Sequence, residues 1–152
     1  MKESKRENVV YNGLGFPITL VNVPMKKMLG EWVIDVNMNE LMNVVIEGLI
    51  KKPYALTGAE LRFVRSYLEM TIDEFGKLCG VSHATVLHWE KRRNAISPAV
   101  DGIIRMRLND LLKTSDKEFR KFFKELDFGQ LAIRKSIQMK VDATEELKVV
   151  NL

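Results

Sequence analysis

The sequence predicts a mainly α-helical protein with a small N-terminal β unit and a centre of four to five short helices. Three observations predict it. Apolar residues recur at helical spacing through most of the chain after residue 37. Residues that start helices (Asn37, Thr57, Thr71, Ser82, Ser97, Ser115) stand just ahead of those segments. Runs of β-branched residues bounded by Gly and Pro are concentrated before residue 37.

Taken in order, "ITLVNV" (Ile18–Val23) and "EWVIDV" (Glu31–Val36) read as strands, with Gly13, Gly15 and Pro17 supplying turn chemistry before the first and "VPMKKMLGE" connecting the two. Alternation of Trp32, Ile34 and Val36 with Val33 and Asp35 suits a strand with one buried face, and Trp32 is expected in the core. A helix follows from Asn37, with Leu41, Val44, Val45, Gly48 and Leu49 on one side, and Pro53 ends it. From Thr57 the helices become short. Leu61, Val64 and Leu68 point inward; Thr71 with Glu74 makes a capping box; Phe75, Leu78 and Cys79 line one face; Gly80 stands where a left-handed cap is needed. Ser97 and Pro98 start a helix whose core is Ile103, Ile104, Met106 and Leu108. Ser115 and Glu118 start another, with a Phe119, Phe122, Phe123 and Leu126 stripe, and "IQMKVDA" alternates as a strand that can add to the edge of the N-terminal strands. The expected domains are residues 1–55 (strands plus helix, metal-free, for partner binding or dimerisation), 56–113 (the short helices) and 114–152 (a helical extension with a strand-like tail).

Composition excludes several classes. A single cysteine, Cys79, rules out a disulfide framework and a cysteine-built zinc site within the chain. No apolar run approaches the roughly 20 residues of a membrane span, so a cytoplasmic protein without a membrane partner is expected. The net charge of +4, from 24 basic and 20 acidic residues, permits nucleic-acid binding and does not require it. There is no nucleotide loop and no nucleophile–base set; no enzyme activity and no cofactor are expected.

The stretch "GVSHATVLHWEKRRN" (Gly80–Asn94) carries the chemistry. At about 100° per residue, Val86 and Trp89 share one helix face. Ala84, Leu87, His88 and Lys91 cluster opposite, with His83 and Arg92 at the margins. The spacing of His83 and His88 separates them by about 140°, which does not suit a shared metal. A surface offering imidazoles, a leucine and cations suits the edges of base pairs and their flanking phosphates.

These residues resemble a known family. "LRFVRSYLEMTIDEFGKLCGVSHATVLHWEKRRNAISP" is similar to the Cro/C1 (XRE-type) helix-turn-helix domain over roughly Leu61 to Pro98. Arg65, the Thr71-started helix, "GVS" and the Trp89–Glu90 pair carry the likeness. The resemblance implies that Glu90 pairs with Arg65 as structure. Ile72 departs from the pattern, standing where the family commonly has a backbone-contacting Gln. More distantly, "GLGFPITLVNVPMKKMLGEW" ahead of such a domain resembles the MqsA/YgiT-type antitoxins, here without their zinc-binding cysteines. The two likenesses imply a sequence-specific DNA-binding transcriptional repressor, the antitoxin and autoregulator of a toxin–antitoxin pair, acting as a homodimer on double-stranded operator DNA with a small protein toxin as partner. His83, Ala84, Thr85, Leu87 and His88 are the expected base contacts, and Thr71, Ser82, Lys91 and Arg92 the expected backbone contacts. The competing reading is a protein-interaction module that uses the same fold to dimerise or dock a partner without reading DNA.

Overall fold

The computed structural model describes residues 3–92, 96–112 and 138–150. The chain divides into two compact units, one of residues 1–48 with 137–152 and the other of residues 49–136.

The first unit is built on a mixed five-stranded sheet. β1 (Ser4–Tyr11) and β2 (Ile18–Met28) form an antiparallel hairpin. Its loop is tightened by a bond from Gly15 N–H to Asn12 O (3.1 Å). β2 turns through Leu29 and Gly30, both at positive φ, into β3 (Glu31–Ile34). β4 (Met139–Asp142) lies parallel to the first half of β2, opposite Ile18–Val21, and β5 (Lys148–Val149) runs antiparallel outside β4. Because β1 occupies one edge of β2, β3 and β4 share the other edge end to end.

One irregularity sets the packing of this sheet. In β2, Ile18, Leu20, Val23 and Met25 are buried. Leu20 and Val23 are three apart, so a regular strand would place them on opposite faces. Between them the register with β1 shifts, with Val21 and Asn22 opposing Asn8 alone. This bulge returns Val23 to the buried face. Asn22 adopts φ 53°, and its N–H donates to Asn8 Oδ1 at 2.8 Å. Arg6 donates to both Asn22 O (2.9 Å) and Ala143 O (3.2 Å), tying the bulge to the end of β4. Met139, Val141 and Ala143 complete the apolar set from the C-terminal segment.

α1 (Met38–Lys51) starts where Asn37 Oδ1 accepts from the N–H groups of Asn39 and Glu40, and leads into the second unit. That unit holds α2 (Gly58–Tyr67), α3 (Ile72–Cys79), α4 (His83–Lys91) and α5 (Pro98–Leu112). Its apolar core includes Leu61, Val64, Phe75, Val86, Ile96, Ile104 and Leu108.

Several expectations need correction. The chain is not mainly α with a small β unit: in addition to its helices it has a five-stranded sheet to which both the N-terminal and the C-terminal parts of the sequence contribute. β1 escapes the sequence pattern because six of its eight residues are exposed, and "VPMKKM" is strand rather than connection. Trp32 is not core. It is 36% exposed, with the ammonium groups of Lys5 and Lys27 at 4.3 and 5.9 Å from its ring. Ile103 and Met106, expected inside, are exposed. The helix expected from Ser115, with its phenylalanine stripe, lies outside the described residues.

Where Ile103 and Met106 were expected, α5 turns Asp101, Arg105 and Asn109 inward, a polar stripe at i, i+4 and i+8. Arg105 Nε lies 3.0 Å from Asp101 Oδ2. The Arg105 guanidinium donates to the carbonyls of Ile50, Lys52 and Tyr54, and Asp101 Oδ1 accepts from Leu56 N–H at 2.8 Å. Two side chains of α5 therefore hold the backbone of the α1–α2 connector. Beside them Lys52 Nζ donates to both oxygens of Glu60, at 2.6 and 2.9 Å. Burial lowers the Lys52 and Arg105 pKa values and raises that of Asp101, with the opposite charges acting against each shift. Glu60 also accepts from Thr57 N–H while Thr57 Oγ1 accepts from Glu60 N–H, so one carboxylate closes the capping box of α2 and neutralises a buried lysine.

Candidate nucleic-acid interface

α3 and α4 are joined by a turn whose geometry is set residue by residue. Thr71 caps α3, its Oγ1 accepting from Glu74 N–H at 3.1 Å. Gly80 ends it at φ 73°, ψ 32°, the left-handed conformation that glycine adopts without penalty. Val81 N–H returns to Gly76 O at 2.8 Å, and a Cβ on Gly76 would lie 2.8 Å from Val81 O, so only glycine lets the chain double back here. Ser82 caps α4 through Thr85 N–H at 3.2 Å. Val86 is fully buried behind the helix, as is Phe75 on α3.

α4 is fixed at its far end by two contacts to α2. Arg65 meets Glu90 in a two-point ion pair, Nε to Oε2 at 2.8 Å and NH2 to Oε1 at 2.9 Å, and its third nitrogen donates to Met70 O. Those bonds to Glu90 raise the Arg65 pKa, so the guanidinium is charged at any working pH. Gly58 N–H donates to Arg92 O at 3.2 Å, and a Cβ on Gly58 would stand 2.5–2.7 Å from the carbonyl oxygens of Trp89, Glu90 and Arg92. Gly58 was not singled out from the sequence. Nothing local marks a glycine at the first position of a well-capped helix as a contact point.

The nine expected DNA contacts fall into three groups. His83, Ala84, His88, Lys91 and Arg92 are exposed. Thr85 and Leu87 are half-buried, and Thr85 Oγ1 lies 3.0 Å from Ser82 Oγ, so both offer less surface than the helical projection suggests. Thr71 and Ser82 use their hydroxyl oxygens as caps. The first turn of α3 also carries Asp73 and Glu74, whose charges oppose a phosphate beside Thr71. One contact was not anticipated: His83 Nδ1 lies 2.7 Å from Asp73 Oδ1, joining the starts of the two helices. Arg93 lies outside the described residues.

Cys79 is half-buried, and its thiol is pushed up to about 11 by burial, with the Arg107 charge acting against the shift. Such a thiol is protonated and unreactive at neutral pH. Among the described residues no group of three His, Cys, Asp or Glu side chains is arranged to hold a metal ion, and no helix is long and apolar enough to cross a membrane. No family model matches the chain, and neither does any curated protein or solved structure.

Proposed function

We propose that the protein is a sequence-specific DNA-binding repressor. The observation that carries this reading is a short helix anchored at both ends that leaves one edge bare. Gly76 and Ser82 set the start of α4, Gly58 and the Arg65–Glu90 pair set its end, and His83, Ala84, His88 and Lys91 remain exposed between. Anchoring of this kind suits major-groove readout, where side chains must be placed to within a fraction of an ångström of base edges. The resemblance of Leu61–Pro98 to XRE-type domains supports the same reading. His83, Ala84 and His88 supply base contacts, with Thr85 and Leu87 at the rim; Lys91 and Arg92 supply phosphate contacts. As a homodimer the protein places two such helices in successive grooves about 34 Å apart.

In the antitoxin role the sheet unit takes the small protein partner and the repressor controls its own promoter. The observation that favours a protein partner on that unit is the β2–β3 apex, where Met28 and Leu29 are exposed. The rival reading, a docking module without DNA readout, draws on the same apex.

Fluorescence anisotropy on a labelled duplex from upstream of the protein's own gene, titrated with salt, tests the reading. Tight, selective binding is expected, with log K falling by about 0.9 per log unit of salt for each phosphate neutralised. Lys91→Ala lowers affinity for all sequences and reduces the slope by about one, whereas His88→Ala narrows the gap between specific and random duplexes. Absence of salt-sensitive, selective binding removes the repressor reading and leaves the docking module.

A further inference from the structure

His83 and Asp73 fix what the start of α4 can say to a base pair. The side chains stand ten residues apart in sequence, on α4 and α3, and meet at 2.7 Å through Nδ1 and Oδ1. Both are exposed, so solvent does not force the contact. An ionised carboxylate can only accept a hydrogen bond. Nδ1 must therefore carry a hydrogen and donate it to Asp73. A neutral imidazole holds one hydrogen, so Nε2 is then bare and can only accept. A neutral histidine without such a partner can present either nitrogen as donor; a neutral ring in this contact cannot.

We propose that Asp73 is a positioning residue that holds the neutral His83 ring as an acceptor at Nε2, so that Nε2 selects the exocyclic amino group of adenine or cytosine in the major groove. The inference rests on the DNA-binding reading and assigns one base preference within it. Every base pair offers one such amino group in that groove, on adenine N6 or cytosine N4, while guanine and thymine present acceptors there. The preference is thus amino over keto on the contacted strand. Of the titratable or charged groups on the two helices, Asp73, Glu74, Lys77 and Cys79 on α3 and His88, Glu90 and Lys91 on α4, only Asp73 bonds the ring among the described residues.

Two measurements on the full chain test this. Long-range ¹⁵N–¹H correlation of the imidazoles at pH 8 is expected to give the Nδ1–H form for His83 in the wild type and a mixture in Asp73→Ala; a dominant Nε2–H form in the wild type overturns the proposal. Selection from a randomised duplex library then compares the wild type, Asp73→Ala and His83→Ala. The base position whose preference disappears in His83→Ala is expected to favour adenine or cytosine about five- to tenfold at pH 8 in the wild type, and to lose that discrimination in Asp73→Ala while total affinity does not fall. Indifference at that position, or an unchanged preference in Asp73→Ala, overturns the proposal while leaving the repressor reading intact. If no duplex is enriched by any protein, the repressor reading fails and the base preference falls with it.

Discussion

The two units of the chain solve the problem of a defined interior in opposite ways. The described part of the sheet unit buries hydrophobic side chains and leaves Val10, Met28, Leu29, Trp32 and Val150 in solvent. The helical unit buries Lys52, Glu60, Asp101, Arg105 and Asn109 together with its aliphatic core. In the sheet, position is set by backbone pairing, and one bulge suffices to phase the side chains. Short helices have no such ladder between them. Here a guanidinium and a carboxylate reach across to backbone groups of the connector, giving the packing directional bonds that aliphatic contacts lack.

This contrast can be broken most strongly at Arg105. Arg105→Ala strands Asp101 in the interior and is expected to destabilise the helical unit by about 3–5 kcal/mol, read as a lower urea midpoint. The double variant Asp101→Leu, Arg105→Met is expected to be more stable than Arg105→Ala, because no uncompensated charge remains. If the double variant is the worse of the two, the pair contributes net stability and not only geometry. Asn109 sharpens the point, since its Oδ1 is buried without a hydrogen-bond partner among the described residues.

A smaller effect of opposite sign is expected in the sheet unit. Leu29 is fully exposed at φ 50°, a conformation that costs a side chain with Cβ roughly 1–2 kcal/mol and that asparagine tolerates in hairpin turns. Leu29→Asn is expected to raise stability by about 0.5–1 kcal/mol in the same urea experiment. A loss of stability would show that the leucine makes contacts within the chain.

A third effect, confined to alkaline pH, concerns Cys79. Its pKa is raised from 9.0 to about 11, so the folded protein holds a proton that the unfolded chain releases over that window. The associated stability is fully present below pH 9 and is lost as the pH rises toward 11. At pH 9 the folded protein is expected to react with iodoacetamide on the order of fifty times more slowly than the urea-unfolded chain, from the thiolate fractions alone. Equal rates would mean that the thiol is not shielded.

How much of this was legible in the sequence depended on the range of each interaction. The caps at Thr57, Thr71 and Ser82, the glycine turn at Gly80 and the buried Val86 are set within a few residues and can be read directly. The Arg65–Glu90 pair came from resemblance, not from spacing. The Asp101–Arg105–Asn109 stripe has the periodicity of a buried face but the composition of a solvated one, and hydrophobicity patterns read composition. β1 was hidden for the same reason, as a charged edge strand. The His83–Asp73 contact crosses the turn between two helices, and only the angle between them brings it about. The alternation of "IQMKVDA" suggested a strand able to join the N-terminal ones, but not its parallel pairing with β2 or the extent of the sheet.

That parallel pairing has a consequence for the order in which the protein can be made. Translation completes β2 before any of the helical unit exists, and β4 follows only after residue 138. At roughly 5–20 residues per second, the edge of β2 over Ile18–Val21 stays without its partner for on the order of ten seconds. Ile18 and Leu20, both fully buried in the finished fold, wait through that interval beside an open row of backbone donors and acceptors. The nascent chain is therefore most open to mispairing, and to capture by a helper protein, at a segment that the finished protein hides.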